Sequence, residues 1–152
     1  MENFDQASLL ASLKGFDSDP LLKKSHLYNA LALLHVALPP KSWIGVYLYD
    51  ETSNLLILGP FAGTPACESI KPNHGVVGTC FSKQKTIVVP DVHQFPGYIC
   101  CDPSASAELV VPLKAGKRIH GVLDIDYPKG YSFEGESAFY EAVSALITTW
   151  LW

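Results

Sequence analysis

The chain alternates between two hydrophobic rhythms. Residues 5–14 suit a short helix that stops at Gly15-Phe-Asp-Ser-Asp-Pro20. Residues 20–38 place Leu27, Leu31, Leu34 and Leu38 at helical spacing, and Pro39-Pro40 closes that segment. The rhythm then changes to that of strands. Residues 42–49 are rich in aromatic and β-branched side chains, residues 50–54 form a turn, and residues 55–61 supply the partner strand. A short strand is expected at 66–70, a short helix at 79–84 after a glycine-flanked turn, and another strand at 86–89. Residues 90–106 contain Pro90, Pro96, Gly97 and Pro103 and read as a long irregular loop. Such loops are mostly functional or disordered; Phe95, Tyr98, Ile99 and two cysteines favour function. Strands at 108–113 and 118–127 flank a Lys114-Ala-Gly-Lys117 turn. Residues 133–151 set Phe139, Val143, Leu146 and Trp150 on one helical stripe.

Consecutive strands joined by tight turns imply an antiparallel sheet. The expected fold class is therefore α+β, with terminal helices on one face and the long loop and short helix over a pocket on the other. One domain over residues 1–152 fits the length, divided into N-terminal helices at 1–38 and the sheet, pocket loops and last helix at 42–152.

Composition narrows the function. At 48% hydrophobic the chain can bury a proper core, while a net charge of −4 and no Lys/Arg run beyond two residues argue against nucleic acid. No apolar stretch approaches the roughly 20 residues needed to span a bilayer. The first residues, Met-Glu-Asn-Phe-Asp, are acidic where a signal peptide is basic, so a cytoplasmic location is expected. The cysteines, at 67, 80, 100 and 101, then suit redox chemistry or plain burial rather than permanent staples. None has zinc-site spacing, and no metal is expected.

The candidate chemistry centres on acids and thiols. Asp124 and Asp126 interrupt an otherwise apolar strand, on one face and about 7 Å apart. They either sit at a solvated strand end, or cap a turn, or form a functional pair that holds a cation or shares a proton. Glu108 opens the preceding strand, near the same end as Asp124. Trp43, Gly45 and Tyr47 share one face of the first strand; core packing is the ordinary reading, and the glycine between two aromatics would also leave room for a pocket. Gly75-Val-Val-Gly-Thr79, ahead of a helix, offers backbone N–H groups to an anion, although paired glycines are more often plain turns. Cys101 is the candidate nucleophile. An acidic neighbourhood raises a thiol's pKa, so its substrate must be activated by those same acids. Reduction of a sulfoxide meets that need, because its oxygen must be protonated to leave. His93 on the loop is an acid–base candidate or a hydrogen-bonded loop residue.

Several stretches together resemble a family. Leu58-Gly-Pro-Phe61, Pro65-Ala-Cys67, Gly75-Val-Val-Gly-Thr79, Asp91-Val-His-Gln-Phe-Pro-Gly97, Ile99-Cys-Cys-Asp102, Ser104-Ala-Ser-Ala-Glu108 and Gly121-Val-Leu-Asp-Ile-Asp126 are similar to the free methionine-(R)-sulfoxide reductases, which are single GAF domains. The resemblance runs from about Trp43 to the last helix. It implies an antiparallel sheet of about six strands, with helices on one side and a closed pocket on the other. It also implies that Cys101 attacks the sulfoxide and becomes a sulfenic acid, that Cys67 resolves it as a disulfide, and that thioredoxin or a similar dithiol restores both thiols without a bound cofactor. Glu108, Asp124 and Asp126 match carboxylates that bind the sulfoxide oxygen and the substrate ammonium; Trp43 and Tyr47 match an aromatic wall around the methyl group. The chain departs from the family at Val77, where a third cysteine is common, and at Cys100, where a small residue is usual. Resolution therefore falls to Cys67, with Cys80 and Cys100 as alternatives. The rival expectation is a non-catalytic GAF module that senses a small molecule or redox state; such modules usually accompany an output domain, for which this length leaves no room. GAF domains often pair, and Trp150 and Trp152 hint at a buried or paired end, so a homodimer is left open.

Overall fold

A computed structural model describes residues 5–16 and 19–152. Helix α1 (Gln6–Lys14) and helix α2 (Lys23–Ala37) come first. Strands β1 (Trp43–Asp50), β2 (Leu55–Ala62) and β3 (Ser69–Ile70) follow, then helix α3 (Gly75–Lys83) and strand β4 (Ile87–Val89). Long strands β5 (Ala105–Ala115) and β6 (Arg118–Pro128) precede helix α4 (Ser137–Leu151). The six strands form one antiparallel sheet in the order β3-β2-β1-β6-β5-β4. No helix among the described residues is long and apolar enough to cross a membrane.

The α+β architecture matches the sequence pattern, and the differences have local causes. Part of the expected turn at 15–20 lies outside the described residues. Pro20–Leu22 forms a 3-10 turn, so α2 begins later than expected; proline lacks the N–H that an interior helical position needs. The expected strand at 66–70 shrinks to two residues at the sheet edge. Helix α3 starts at Gly75 rather than after Thr79: Gly75 turns the chain at φ +61°, and the Gly78 N–H closes the first turn on the His74 carbonyl at 3.0 Å. Strand β5 extends beyond 108–113 at both ends, because β6 pairs with it from Ala105 to Ala115. Phe133 precedes α4 rather than joining it, and stacks on Tyr127 at 3.8 Å.

Alternation along β6 decides which side chains meet which layer. Leu123, Ile125 and Tyr127 join the core beneath α1, α2 and α4; Val122 joins the smaller apolar cluster on the other face, with Trp43, Tyr47, Val76, Val77 and Cys80. Asp124 and Asp126 share that second face. Trp150 is buried against Phe16 and His26, while Trp152 stays partly exposed, stacked on His120 at 4.0 Å.

One polar group is sealed into the helix-side core. The Tyr127 hydroxyl donates to Glu136 Oε2 at 2.6 Å and lies 2.7 Å from the Tyr140 hydroxyl. Burial raises the Glu136 pKa, and Tyr127's bond works against that rise. Replacing Tyr127 by Phe removes a partner from two buried groups at once. Tyr127→Phe is expected to lower unfolding free energy by about 1–3 kcal/mol, the cost of stranding a buried polar group, as measured by urea titration.

Candidate functional site

The pocket face of the sheet carries the site. Register sets Asp126 beside Trp43 and Glu108, and Asp124 beside Gly45 and Val110. Glu108 therefore lies directly across from Asp126 rather than Asp124. One oxygen from each of Glu108, Asp124 and Asp126 falls within 4.8 Å of the others. Glu108 and Asp124 are only 6% and 5% exposed, which removes the solvated-strand-end reading of the acids. Among the described residues, no Lys, Arg or His lines their cavity.

That combination controls protonation. Burial pushes the Glu108 carboxyl well up, and the charges of Asp124 and Asp126 push it further. Burial and then Asp124 likewise raise Asp126. Asp124 is pushed up to about 7 by burial, held back by its hydrogen bond with Glu108. The shifts are linked, because the hydrogen bond between Glu108 and Asp124 raises the pKa of Glu108 and lowers that of Asp124. Asp124 Oδ1 is buried without a protein partner. Such a cluster offers a protonated carboxyl that can donate a proton and an ionised one that can accept an ammonium group.

Aromatic side chains form the wall. The Trp43 indole N–H donates to the Thr64 carbonyl and the Tyr47 hydroxyl to the Cys67 carbonyl, both at 2.9 Å. These bonds tie β1 to the segment between β2 and β3. The space expected above Gly45 is already filled: a Cβ there would lie 2.4 Å from Trp43 and 2.6 Å from Phe61. The glycine thus lets the indole fold flat over the strand, stacked on Phe61 at 5.5 Å, instead of opening a gap.

The irregular segment before β5 forms the lid. Tyr98, Ile99, Cys101 and Asp102 all line the cavity. Ile99 packs on the start of α3, 3.1 Å from where a Gly75 Cβ would sit. The first residues of α3, Gly75 to Val77, line the cavity too, so the helix N-terminus opens on it. Cys101 is bonded to Cys67, with Cα atoms 5.3 Å apart and a sequence separation of 34. Asp102 fastens the same loop, accepting from Ser104 N at 2.8 Å, Ser104 Oγ at 2.7 Å and Thr64 Oγ1 at 3.2 Å. Burial would raise the Asp102 pKa, yet the Ser104 and Thr64 bonds outweigh it and keep the carboxylate ionised.

Of the residues selected from sequence, Trp43, Tyr47, Cys101, Glu108, Asp124 and Asp126 line this one cavity, and Cys67 reaches it through the disulfide. Cys80 does not take part. It is fully buried with its thiol towards the Val110 carbonyl at 3.5 Å, and burial and nearby Asp124 raise its pKa. Cys100 points outward and is exposed. Val77 presents an aliphatic surface to the cavity. His93 is exposed on a 3-10 turn, its ring edge-on to Tyr98. Tyr98 and Asp102 were not selected from sequence; their placement at the loop of Cys101 was the signal for both.

A model of the GAF domain matches residues 31–149. The free methionine-R-sulfoxide reductase of Saccharomyces cerevisiae is 37% identical over 147 residues, covering 91% of this chain and 81% of that protein. The reduced form of fRMsr of Staphylococcus aureus superposes with a TM-score of 0.82 at 35% identity, covering 99% of this chain and 97% of that one. The chain belongs to the free methionine-R-sulfoxide reductases, oxidoreductases built on a GAF domain. A further relative, the free methionine-R-sulfoxide reductase of Neisseria meningitidis in complex with its substrate, has a TM-score of 0.80 at 30% identity, covering 95% of this chain and 84% of that one.

The acid cluster also makes stability depend on pH. Raised carboxyl pKa values mean that the folded chain binds more protons than the unfolded one above about pH 4, so the stabilisation fades as pH climbs through the raised values. Unfolding free energy of the disulfide form is expected to fall between about pH 5 and pH 8. Asp124→Asn should flatten that slope and add about 1–3 kcal/mol at the upper end, one raised pKa unit being worth about 1.4 kcal/mol. Urea unfolding of both proteins at the two pH values measures the difference.

Proposed function

We propose that this chain reduces free L-methionine-(R)-sulfoxide to L-methionine. The observation that carries this reading is the Cys67–Cys101 disulfide at the edge of a cavity lined by three carboxyl groups whose pKa values burial raises. In the reduced state Cys101 attacks the sulfoxide sulfur. The acid cluster supplies the proton that the departing oxygen requires, and that oxygen leaves the substrate on Cys101 as a sulfenic acid. Methionine departs. The Cys67 thiol then attacks Cys101 Sγ, a disulfide forms and water is released. Thioredoxin, or a similar dithiol, reduces that disulfide and restores both thiols. No bound cofactor enters the cycle.

The groups around the cavity suit each part of the substrate. Asp124 and Asp126 face its ammonium, and Glu108 its sulfoxide oxygen. Trp43 and Tyr47 enclose the methyl group. The N-terminus of α3, a source of free backbone N–H groups, suits the substrate carboxylate. A lid over a site that grips both ends of an amino acid leaves no path for a continuing polypeptide, so selectivity for the free amino acid follows from the shape.

The exposed Cys100 and the buried Cys80 leave Cys67 as the resolving thiol. Cys101→Ser is expected to abolish turnover, and Cys67→Ser to yield one methionine per active site without recycling by thioredoxin. Both are read by NADPH consumption with thioredoxin, thioredoxin reductase and each epimer of free methionine sulfoxide. Wild-type NADPH oxidation at background level with the R epimer overturns the proposal and favours a sensor module, as does full thioredoxin-dependent activity in Cys101→Ser.

A further inference from the structure

The cavity is lined by three aromatic side chains that carry a hydrogen-bond donor, and two of these donors are spent on the protein. The Trp43 N–H is bound to the Thr64 carbonyl, and the Tyr47 hydroxyl to the Cys67 carbonyl. Both bonds build the wall and leave neither group free for a ligand. The third donor is the Tyr98 hydroxyl, which has no hydrogen-bond partner among the described residues although the ring lines the cavity. It belongs to the same loop as Cys101, three residues earlier in the sequence.

The ring is held in place by its surroundings. The Tyr98 backbone N–H donates to the Phe95 carbonyl at 3.1 Å, and its ring meets His93 edge-on at 6.3 Å. Next along the chain, Ile99 packs on Gly75 and fixes the loop over the cavity. Burial raises the pKa of the phenol, and the charges of Asp126, Glu108, Cys100 and Asp124 raise it further. The hydroxyl therefore stays protonated beside the acids: a poor proton source, but a permanent donor.

We propose that the Tyr98 hydroxyl donates a hydrogen bond to the oxygen of the bound sulfoxide and aligns the S–O bond for attack by Cys101. This inference rests on the reading of the cavity as a methionine sulfoxide site. Within that site the choice of oxygen follows from chemistry. The ammonium group has only hydrogens to offer and goes to the carboxylates. The substrate carboxylate has the α3 N-terminus. The sulfoxide oxygen sits on the atom that Cys101 must reach, and Tyr98 shares the loop of Cys101. Negative charge grows on that oxygen as the sulfur is attacked, so the bond strengthens towards the transition state. Tyr98 thereby works beside the acid cluster: one group transfers the proton, the other orients its acceptor.

Tyr98→Phe keeps the ring and removes only the hydroxyl. In single-turnover reduction of free methionine-(R)-sulfoxide by the reduced protein, the variant is expected to be slower by about a hundredfold, the order of loss when one donor to a charge-developing oxygen is removed. In the non-reactive Cys101→Ser background, Tyr98→Phe should weaken binding of the sulfoxide and leave the affinity for methionine, which lacks the oxygen, unchanged. A packing role would instead weaken both ligands alike. Wild-type turnover together with an undiminished Tyr98→Phe rate, or equal losses for sulfoxide and methionine, overturns the role of Tyr98 and leaves the proposed activity standing. Absence of wild-type turnover with the R epimer overturns both.

Discussion

Three carboxyl groups crowded on β5 and β6, with no Lys, Arg or His lining their cavity among the described residues, impose the constraint that the rest of the molecule accommodates. Removing carboxylates from water is costly unless charge is cancelled. Here burial raises their pKa values instead, which favours the protonated forms. The stability lost in burying these groups is offset on the opposite face of the same strands, where Leu109, Val111, Leu123, Ile125 and Tyr127 pack beneath the helices. The sheet thus separates two tasks by the alternation of its side chains. One face holds the fold together; the other is free to hold groups that would weaken a core.

The cavity over the acids is assembled from segments far apart in sequence. Two aromatic residues of β1 reach across to carbonyls at Thr64 and Cys67. The loop ending at Cys101 is fastened to that same segment twice, by the disulfide and by the Thr64–Asp102 hydrogen bond. These attachments differ in kind: the disulfide exists only when the thiols are oxidised, and the hydrogen bonds need no redox change to form. Val77, in α3, adds an aliphatic surface to the cavity lining.

Much of this organisation was legible in the chain itself. The period-two pattern of β6 assigned Asp124 and Asp126 to one face before any contact was known, and the Leu27, Leu31, Leu34 stripe marked the buried side of α2. Boundaries were less legible. Helix α3 begins on its glycines because Gly75 can take a positive φ and Ile99 packs over it, which only a distant loop decides. Gly45 shows the limit most clearly. An absent side chain reads as empty space in sequence, yet the neighbouring indole occupies it.

By itself the sequence determined the α+β class, the two faces of the sheet and the placement of Asp124 and Asp126 on one of them, because alternation and helical spacing are properties of the local backbone. Only the tertiary structure decided that Glu108 lies across from Asp126, that Cys67 rather than Cys80 or Cys100 is bonded to Cys101, and that the Tyr98 hydroxyl, unlike the donors of Trp43 and Tyr47, has no hydrogen-bond partner among the described residues. Those outcomes depend on strand register and on where the long loop lands. Both are set by packing between segments that the chain brings together from many residues apart.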